Sequence, residues 1–124
     1  IAEGNQIKNN RIGISIGHKD NNNIIRKNNI IDSGECGLLF REERENFTAT
    51  GNKIEENTIQ NVNSETGIGI SIQGLTKGNE ICKNKIVELG ESSKKIGIKI
   101  AQTAKDNYIK DNKIKGFSKE IVID

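Results

Sequence analysis

The sequence predicts an all-β solenoid, a parallel β-helix of about four to five coils with about 28 residues in each coil. Three observations support this prediction. Of the 124 residues, 23 are Ile, 17 are Asn and 13 are Gly, whereas Pro, Met and Trp are absent. A motif with two Asn and two Ile recurs at nearly constant intervals, and a strand-like element lies between its copies. β-branched side chains favour extended backbone, and so many Asn and Gly disfavour helix interiors.

The recurring motif has the form Asn-x-Ile-x-x-Asn-x-Ile, and its clear copies begin at Asn23, Asn52, Asn79 and Asn107. The intervals between these first residues are 29, 27 and 28 residues. A unit of this length holds about three short strands and cannot bury its own apolar edge, so it must stack on its neighbours at about 4.8 Å per coil. The spacing therefore predicts columns of equivalent side chains.

The Ile and Asn positions of the motif are expected to form these columns. The predicted interior columns are Ile25, Ile54, Ile81 and Ile109, and Ile30, Ile59, Ile86 and Ile114. At a sharp turn, Asn tolerates left-handed backbone, and its amide can hydrogen-bond the equivalent Asn one coil away. Two asparagine ladders are therefore predicted, Asn23, Asn52, Asn79 and Asn107, and Asn28, Asn57, Asn84 and Asn112. The residues before the first ladder also suit turns, and these are Gly4, Asn22, Gly51, Gly78 and Asp106.

A fifth copy of the motif is assigned to the N-terminus, at Asn5, Ile7, Asn10 and Ile12. In this assignment Ile12 ends the motif and also begins the next strand. The N-terminal coil is therefore predicted to be short or incomplete.

The strand-like element between the motif copies alternates apolar residues with small or polar ones. Its copies are Ile12–Ile16, Cys36–Phe40, Ile68–Ile72, Ile96–Ile100 and residues 121–123. This alternation predicts strands with one buried face. The interval from the element to the next motif is 11 residues in three coils and 16 residues after Cys36. An inserted loop is therefore predicted at residues 41–50, and its run of mixed charges is interpreted as solvated.

Charge and cysteine content limit the partners. The 19 basic and 17 acidic residues are interspersed, so no basic stripe indicates nucleic acid, and no apolar run is long enough to span a membrane. Gly67 and Gly69 lie within a strand pattern and do not form a phosphate loop. Cys36 and Cys82 show no metal-ligand spacing. Whether they pair is left open, with one buried and one surface thiol preferred. Neither a cofactor nor a metal is predicted.

The Asn-x-Ile-x-x-Asn-x-Ile turns, the Gly-Ile-x-Ile strands and the coil length together resemble the right-handed parallel β-helix repeats of the pectate-lyase-like superfamily and of related carbohydrate-binding and sugar-hydrolase domains. The resemblance implies right-handed coiling, an extracellular or cell-surface location and a polysaccharide groove along the outside of one stacked sheet. It does not imply a particular reaction, because one fold supports many functions.

If the Gly-Ile-x-Ile strands form the groove, strict alternation points their glycines and the residues two and four positions later outward, giving a flat, small and polar face. The candidate glycan contacts on it are Ser15, Arg41, Ser71, Gln73 and Lys99. His18, the only histidine, is a further candidate, although an exposed turn residue is the preferred interpretation. No Asp lies on this face, and glycoside hydrolysis generally needs two carboxylates within about 10 Å. No catalytic residue is therefore assigned.

Three functions are compatible with these features. The leading hypothesis is a β-helix scaffold of a bacterial or phage protein that acts at polysaccharides or cell surfaces, with weak glycan binding. The second is part of a polysaccharide lyase, epimerase or glycosidase whose catalytic residues lie mostly outside this stretch. The third is a purely structural or assembly module. No polar helix caps the pattern, so residues 1–124 are expected to form one β-helix domain of a longer chain, whose remainder or oligomer partners cover the open ends.

Overall fold

The computed structural model describes residues 1–124 and is a right-handed parallel β-helix, which confirms the predicted fold class. Five coils stack, and each coil contributes one strand to each of three parallel sheets. In chain order the strands are β1 (Ala2–Glu3), β2 (Gln6–Lys8), β3 (Ile12–Ile16), β4 (Ile24–Arg26), β5 (Asn29–Ser33), β6 (Cys36–Phe40), β7 (Lys53–Glu55), β8 (Thr58–Val62), β9 (Ile68–Ile72), β10 (Glu80–Cys82), β11 (Lys85–Val87), β12 (Ile96–Ile100), β13 (Tyr108–Lys110), β14 (Lys113–Lys115) and β15 (Lys119–Ile123).

Each sheet takes every third strand. Sheet A contains β1, β4, β7, β10 and β13, sheet B contains β2, β5, β8, β11 and β14, and sheet C contains β3, β6, β9, β12 and β15. The chain thus passes from sheet A through sheet B to sheet C in every coil, and then turns back to sheet A of the next coil. One short 3-10 helix, Glu45–Phe47, lies outside the sheets.

Isoleucine columns fill the interior of the solenoid. Ile54 of sheet A pairs with Ile81 of the next coil, Ile59 of sheet B pairs with Ile86, and all four are 0% exposed. Complete burial of such a side chain contributes roughly 1.5–3 kcal/mol, so these columns supply much of the driving force for stacking. The end coils have a neighbour on one side only, and Ile121 is accordingly 49% exposed.

Both asparagine ladders are present as continuous rows of hydrogen bonds. Asn57 illustrates one rung: its Oδ1 accepts the backbone N–H and the Nδ2–H of Asn28, each at 3.0 Å. Its own Nδ2 donates to Asn84 Oδ1 at 3.0 Å and to the Ile25 carbonyl at 2.9 Å. Asn57 is 1% exposed. Every polar atom of this buried amide therefore has a partner, which removes the cost of burying it.

The predicted register of the N-terminal copy is wrong. Asn5 Nδ2 donates to Asn28 Oδ1 at 2.9 Å, and Ile7 pairs with Ile30. Asn5 and Ile7 are therefore the second half of the motif, and Ile12 belongs to sheet C alone. Coil one has all three strands, but only 23 residues separate Asn5 from its equivalent in coil two. The residue types at this position match the motif. The stacking, however, pairs Asn5 and Ile7 with Asn28 and Ile30, which form the second half of the next motif.

The left-handed residues of the turns precede the ladder asparagines. Before the first ladder they are Asn22, Gly51, Gly78 and Asp106, and before the second they are Gly4, Lys27, Glu56, Lys83 and Asp111. Gly4 thus precedes the second ladder, and none of the ladder asparagines has a positive φ. The expectation of left-handed asparagines is wrong because the preceding residue makes the bend. The asparagine can then point its amide along the stack.

The predicted insertion is confirmed between β6 and β7, where residues 41–52 contain no strand. Its second half does not leave the solenoid. Thr48 is 6% exposed and Ala49 is 1% exposed, and the Ala49 carbonyl accepts a hydrogen bond from Asn79 Nδ2 at 3.0 Å. The first half, which contains the charged run, is mostly exposed.

Candidate functional site

A shallow groove runs along the outer face of sheet C. Its main depression has a volume of about 580 Å³ and is bordered by Arg41, and a smaller depression of about 160 Å³ is bordered by Lys99. The two depressions share three residues, which are Ile68, Ser71 and Gln73. The fifth sheet C candidate, Ser15, contacts the groove through Arg41, whose Nη1 donates to its Oγ at 2.7 Å. The structure therefore brings five predicted residues onto one face, which we call the sheet C groove.

The glycine of each Gly-Ile-x-Ile strand faces the interior, so its predicted outward orientation is wrong. A Cβ added to Gly69 would lie 2.6 Å from Ile86 Cγ2 and 2.6 Å from the Gly97 carbonyl oxygen. Neighbouring strands of sheet C pair at their first, third, fourth and fifth residues, but not at the second residue, where this glycine lies. The strand bends here, at the corner between sheets B and C, and strict alternation fails at such a bend. Glycine is required because the backbone of the next coil comes too close for a side chain.

The bend turns the first residue of each sheet C strand outward. Ile12, Cys36 and Ile68 line the groove, and Ile96 pairs with Ile68 in the next coil. Ile12, Ile68 and Ile96 are partly exposed, whereas Cys36 is only 6% exposed. The expectation of a flat, small and polar face is therefore wrong in part, because an apolar row runs beside the polar one. Ser71 lies at the bottom and is only 4% exposed.

Arg41 is held in place at the groove by three neighbours. Besides its bond to Ser15, its Nε lies 3.6 Å from Glu43 Oε1. Its guanidinium lies beside Gly17, where an added Cβ would be 2.8 Å from Nη2. The side chain is 41% exposed. Since a guanidinium carries five N–H donors, Arg41 keeps donors for a ligand while its position stays fixed.

His18 lies outside the sheet C groove. Its ring is stacked on Phe47 of the inserted loop, with centroids 5.2 Å apart and planes inclined by 10°. The next residue, Lys19, places Nζ 4.9 Å from the same ring and donates its backbone N–H to the Phe47 carbonyl at 2.8 Å. This exposed turn therefore fastens the inserted loop to coil one, and His18 is not brought together with the other candidate contacts.

A buried ion pair was not predicted from the sequence. Glu88 and Lys95 lie 3.1 Å apart with side chains 3% and 10% exposed. Glu88 Oε1 also accepts the Val62 backbone N–H at 3.0 Å, and Oε2 accepts the Gly90 N–H at 3.1 Å. Strand β11 is two residues shorter than β8, so β11 offers no backbone acceptor to the N–H of Val62 at the end of β8. The Glu88 carboxylate supplies that acceptor instead. The ion pair closes the loop between β11 and β12. The only sequence signal for it is that Glu88 directly follows β11 and Lys95 directly precedes β12.

The thiols and acidic residues do not converge on a metal site. No three His, Cys, Asp or Glu side chains cluster in the structure. Cys36 and Cys82 are both free, one buried and one partly exposed, in agreement with the preferred interpretation. Burial raises the pKa of Cys36 to about 12, and burial followed by the Glu80 carboxylate raises the pKa of Cys82. A raised pKa disfavours the thiolate, which is the form that binds metals.

The fold and the outer groove define a parallel β-helix scaffold protein. The family model described as periplasmic copper-binding protein (NosD) matches residues 1–123, and the chain therefore belongs to the NosD family. No curated protein and no solved structure matched the chain. Within the broad resemblance to pectate-lyase-like β-helices, the family match thus points to one periplasmic family of parallel β-helices. A periplasmic family is consistent with the predicted extracellular or cell-surface location. The structure contains no helix that is both long and apolar enough to cross a membrane.

The family description names copper, and the residues of this chain do not fit a copper site. Proteins bind copper mainly through Cys, His and Met side chains. The chain has one His, two Cys and no Met. His18 is stacked on Phe47, Cys36 lies in sheet C and Cys82 lies in sheet A. No copper-dependent step is therefore assigned to these residues.

Proposed function

We propose that this chain is the β-helix scaffold of a NosD-like protein of the cell envelope and that its sheet C groove binds a polysaccharide weakly. The observation that carries the proposal is the pair of parallel rows along the groove, one apolar and one polar. A linear polysaccharide presents C–H faces and hydroxyl edges in the same alternation. Equivalent positions of both rows recur about every 4.8 Å, although Leu39 interrupts the polar row in the second coil.

The polar row supplies donors to sugar hydroxyls. Arg41, Gln73 and Lys99 border successive parts of the groove, and Gln73 is exposed to solvent. The apolar row gives the C–H faces a dry contact, as in other small-molecule sites. No aromatic side chain lines either depression, so stacking on sugar rings is absent. We therefore expect a dissociation constant on the order of 1 mM for a short oligosaccharide, with longer polymers held through several coils.

The groove supports binding better than hydrolysis. Its carboxylates are Glu35 in the main depression and Asp124 in the smaller one. Each is already engaged by a cation, Arg11 at 2.6 Å and Lys99 at 3.7 Å. Glycosidases need one carboxyl that holds a proton and a second that is free to act as base or nucleophile. Neither carboxylate of the groove is placed for these roles.

Affinity gel electrophoresis of the purified chain tests the proposal. Polysaccharides cast in the gel should retard the wild type, and the double variant Arg41→Ala/Gln73→Ala should lose most of the retardation because two donors of the polar row are removed. Lys113→Ala, an exposed lysine of sheet B, is the matched control and should migrate like the wild type. Equal retardation of wild type and double variant, or no retardation by any polymer, would refute polysaccharide binding in the groove.

A further inference from the structure

We infer that the sheet C groove selects an uncharged, hydroxyl-rich polymer over an acidic one, an inference that rests on the proposed function. A groove bordered by two arginines and a lysine would ordinarily attract anions. In this molecule each of the three cations is paired with a carboxylate of the same chain. The three pairs are Arg11 with Glu35, Arg41 with Glu43, and Lys99 with Asp124.

The first pair closes the corner of the groove next to sheet B. Arg11 Nη1 and Glu35 Oε2 lie 2.6 Å apart across two adjacent coils, and both residues line the main depression. Their side chains are 68% and 59% exposed. An incoming ligand therefore meets the positive and the negative group together, and the pair offers no net attraction for an anion.

The second pair lies at the opposite side of the same depression. Glu43 stays within 3.6 Å of Arg41 Nε, and its side chain is 22% exposed. Gly17 makes this arrangement feasible, because a Cβ there would lie 2.9 Å from Glu43 Oε1 and 2.8 Å from Arg41 Nη2. The carboxylate thus occupies the place that a ligand carboxylate would take beside the guanidinium. Hydroxyl groups can still accept from the remaining N–H donors of Arg41 without displacing Glu43.

The third pair extends the same charge balance to the smaller depression. Lys99 Nζ and Asp124 Oδ2 lie 3.7 Å apart, and both residues line it. Three cations and two carboxylates line the two depressions, and Glu43 beside Arg41 supplies the third negative charge, so these charges sum to zero. An acidic polymer would have to displace these carboxylates or lie beside them, and like charges at such distances repel. A neutral polymer has no such cost, and its binding does not depend on ionic screening.

The test compares a neutral glucan with its carboxymethyl derivative of the same chain length, by affinity electrophoresis at low and at high ionic strength. We expect the neutral polymer to retard the wild type about threefold more strongly, the size typical of exposed charges, and equally at both salt levels. If the carboxymethyl polymer is bound better and salt weakens it, the selectivity is overturned while polysaccharide binding stands. If neither polymer binds, both the selectivity and the proposed function are overturned.

A charge-unmasking variant gives a second readout. Glu35→Gln/Glu43→Gln leaves Arg11 and Arg41 without their carboxylates and changes only partly or well exposed positions. The variant should bind the carboxymethyl polymer more strongly than the wild type at low salt and lose this gain at high salt. Glu55→Gln/Glu56→Gln, in and after β7 of sheet A, makes the same change of net charge away from the groove and should leave the preference unaltered. Equal behaviour of the two double variants would overturn the inference.

Discussion

The interior of the solenoid and the outer face of sheet C differ in how strictly the same residue type recurs from one coil to the next. One interior column of sheet B is Ile30, Ile59, Ile86 and Ile114. One outer column of sheet C is Ser15, Leu39, Ser71 and Lys99. Inside, each side chain must pack against its own equivalent about 4.8 Å away, so one shape recurs. Outside, water can solvate many kinds of side chain, so the residues of this outer column are free to differ from coil to coil.

Among substitutions that interrupt the repeated columns, the largest loss of stability is expected at an interior position of a central coil. Ile59→Ala should lower the free energy of unfolding by about 4 kcal/mol, because it leaves a cavity between fully packed coils. Ile121→Ala, in an end coil where the side chain is 49% exposed, should cost about 1 kcal/mol or less. Urea unfolding followed by circular dichroism measures both variants. Similar losses would mean that the central coils are not more tightly packed than the last one.

A smaller loss is expected from the ladder. Asn57→Ala removes the acceptor of two Asn28 donors in a buried corner and should cost about 3 kcal/mol. Asn23→Ala changes the exposed first rung of the other ladder and should cost about 1 kcal/mol, since water can replace part of its bonding. Thermal unfolding of the two variants under identical conditions gives the comparison. A larger loss for the exposed rung would contradict the role assigned to burial.

The smallest contrast compares two glycines of the sheet C region. Gly69→Ala should cost about 2 kcal/mol, because its Cβ would meet the backbone oxygen of the next coil. Gly17→Ala should stay within about 0.5 kcal/mol of the wild type, because its Cβ would meet only the movable ends of Arg41 and Glu43. Chemical denaturation distinguishes the two. An equal cost at both positions would argue against the inward orientation of Gly69.

The sequence was sufficient where the structure is periodic. The columns of Ile54 and Ile59 and the rungs at Asn52 and Asn57 follow from intervals of 27 to 29 residues, because stacking converts equal spacing into contact. The inserted loop at residues 41–50 followed from one unequal interval in the same way.

The features that escaped prediction depend on local geometry that the repeat spacing does not reveal. The orientation of Gly69 depends on a bend between two sheets, and alternation along a straight strand cannot reveal it. The true register of Asn5 depends on which half-motif stacks on coil two. The pair of Glu88 and Lys95 occurs in one coil only, and Glu43, the partner of Arg41, lies in the inserted loop. For the candidate site, the sequence therefore identified five residues of one face but neither its apolar row nor its charge balance.

The asparagine ladders are directional, and this direction has a consequence for how such a chain changes length. In both ladders the amide of one coil donates to the Oδ1 of the coil that follows it in the chain. Each coil therefore offers one surface of acceptors and one of donors, and any two coils join in the same way. If residues 52–78 were lost, Asn79 would take the place of Asn52 in the stack. Asn23 would then donate to Asn79 Oδ1 through the same two hydrogen bonds that it now makes with Asn52. Gain or loss of a whole coil thus keeps the ladder bonding of the scaffold in kind, whereas it lengthens or shortens the sheet C groove by one step.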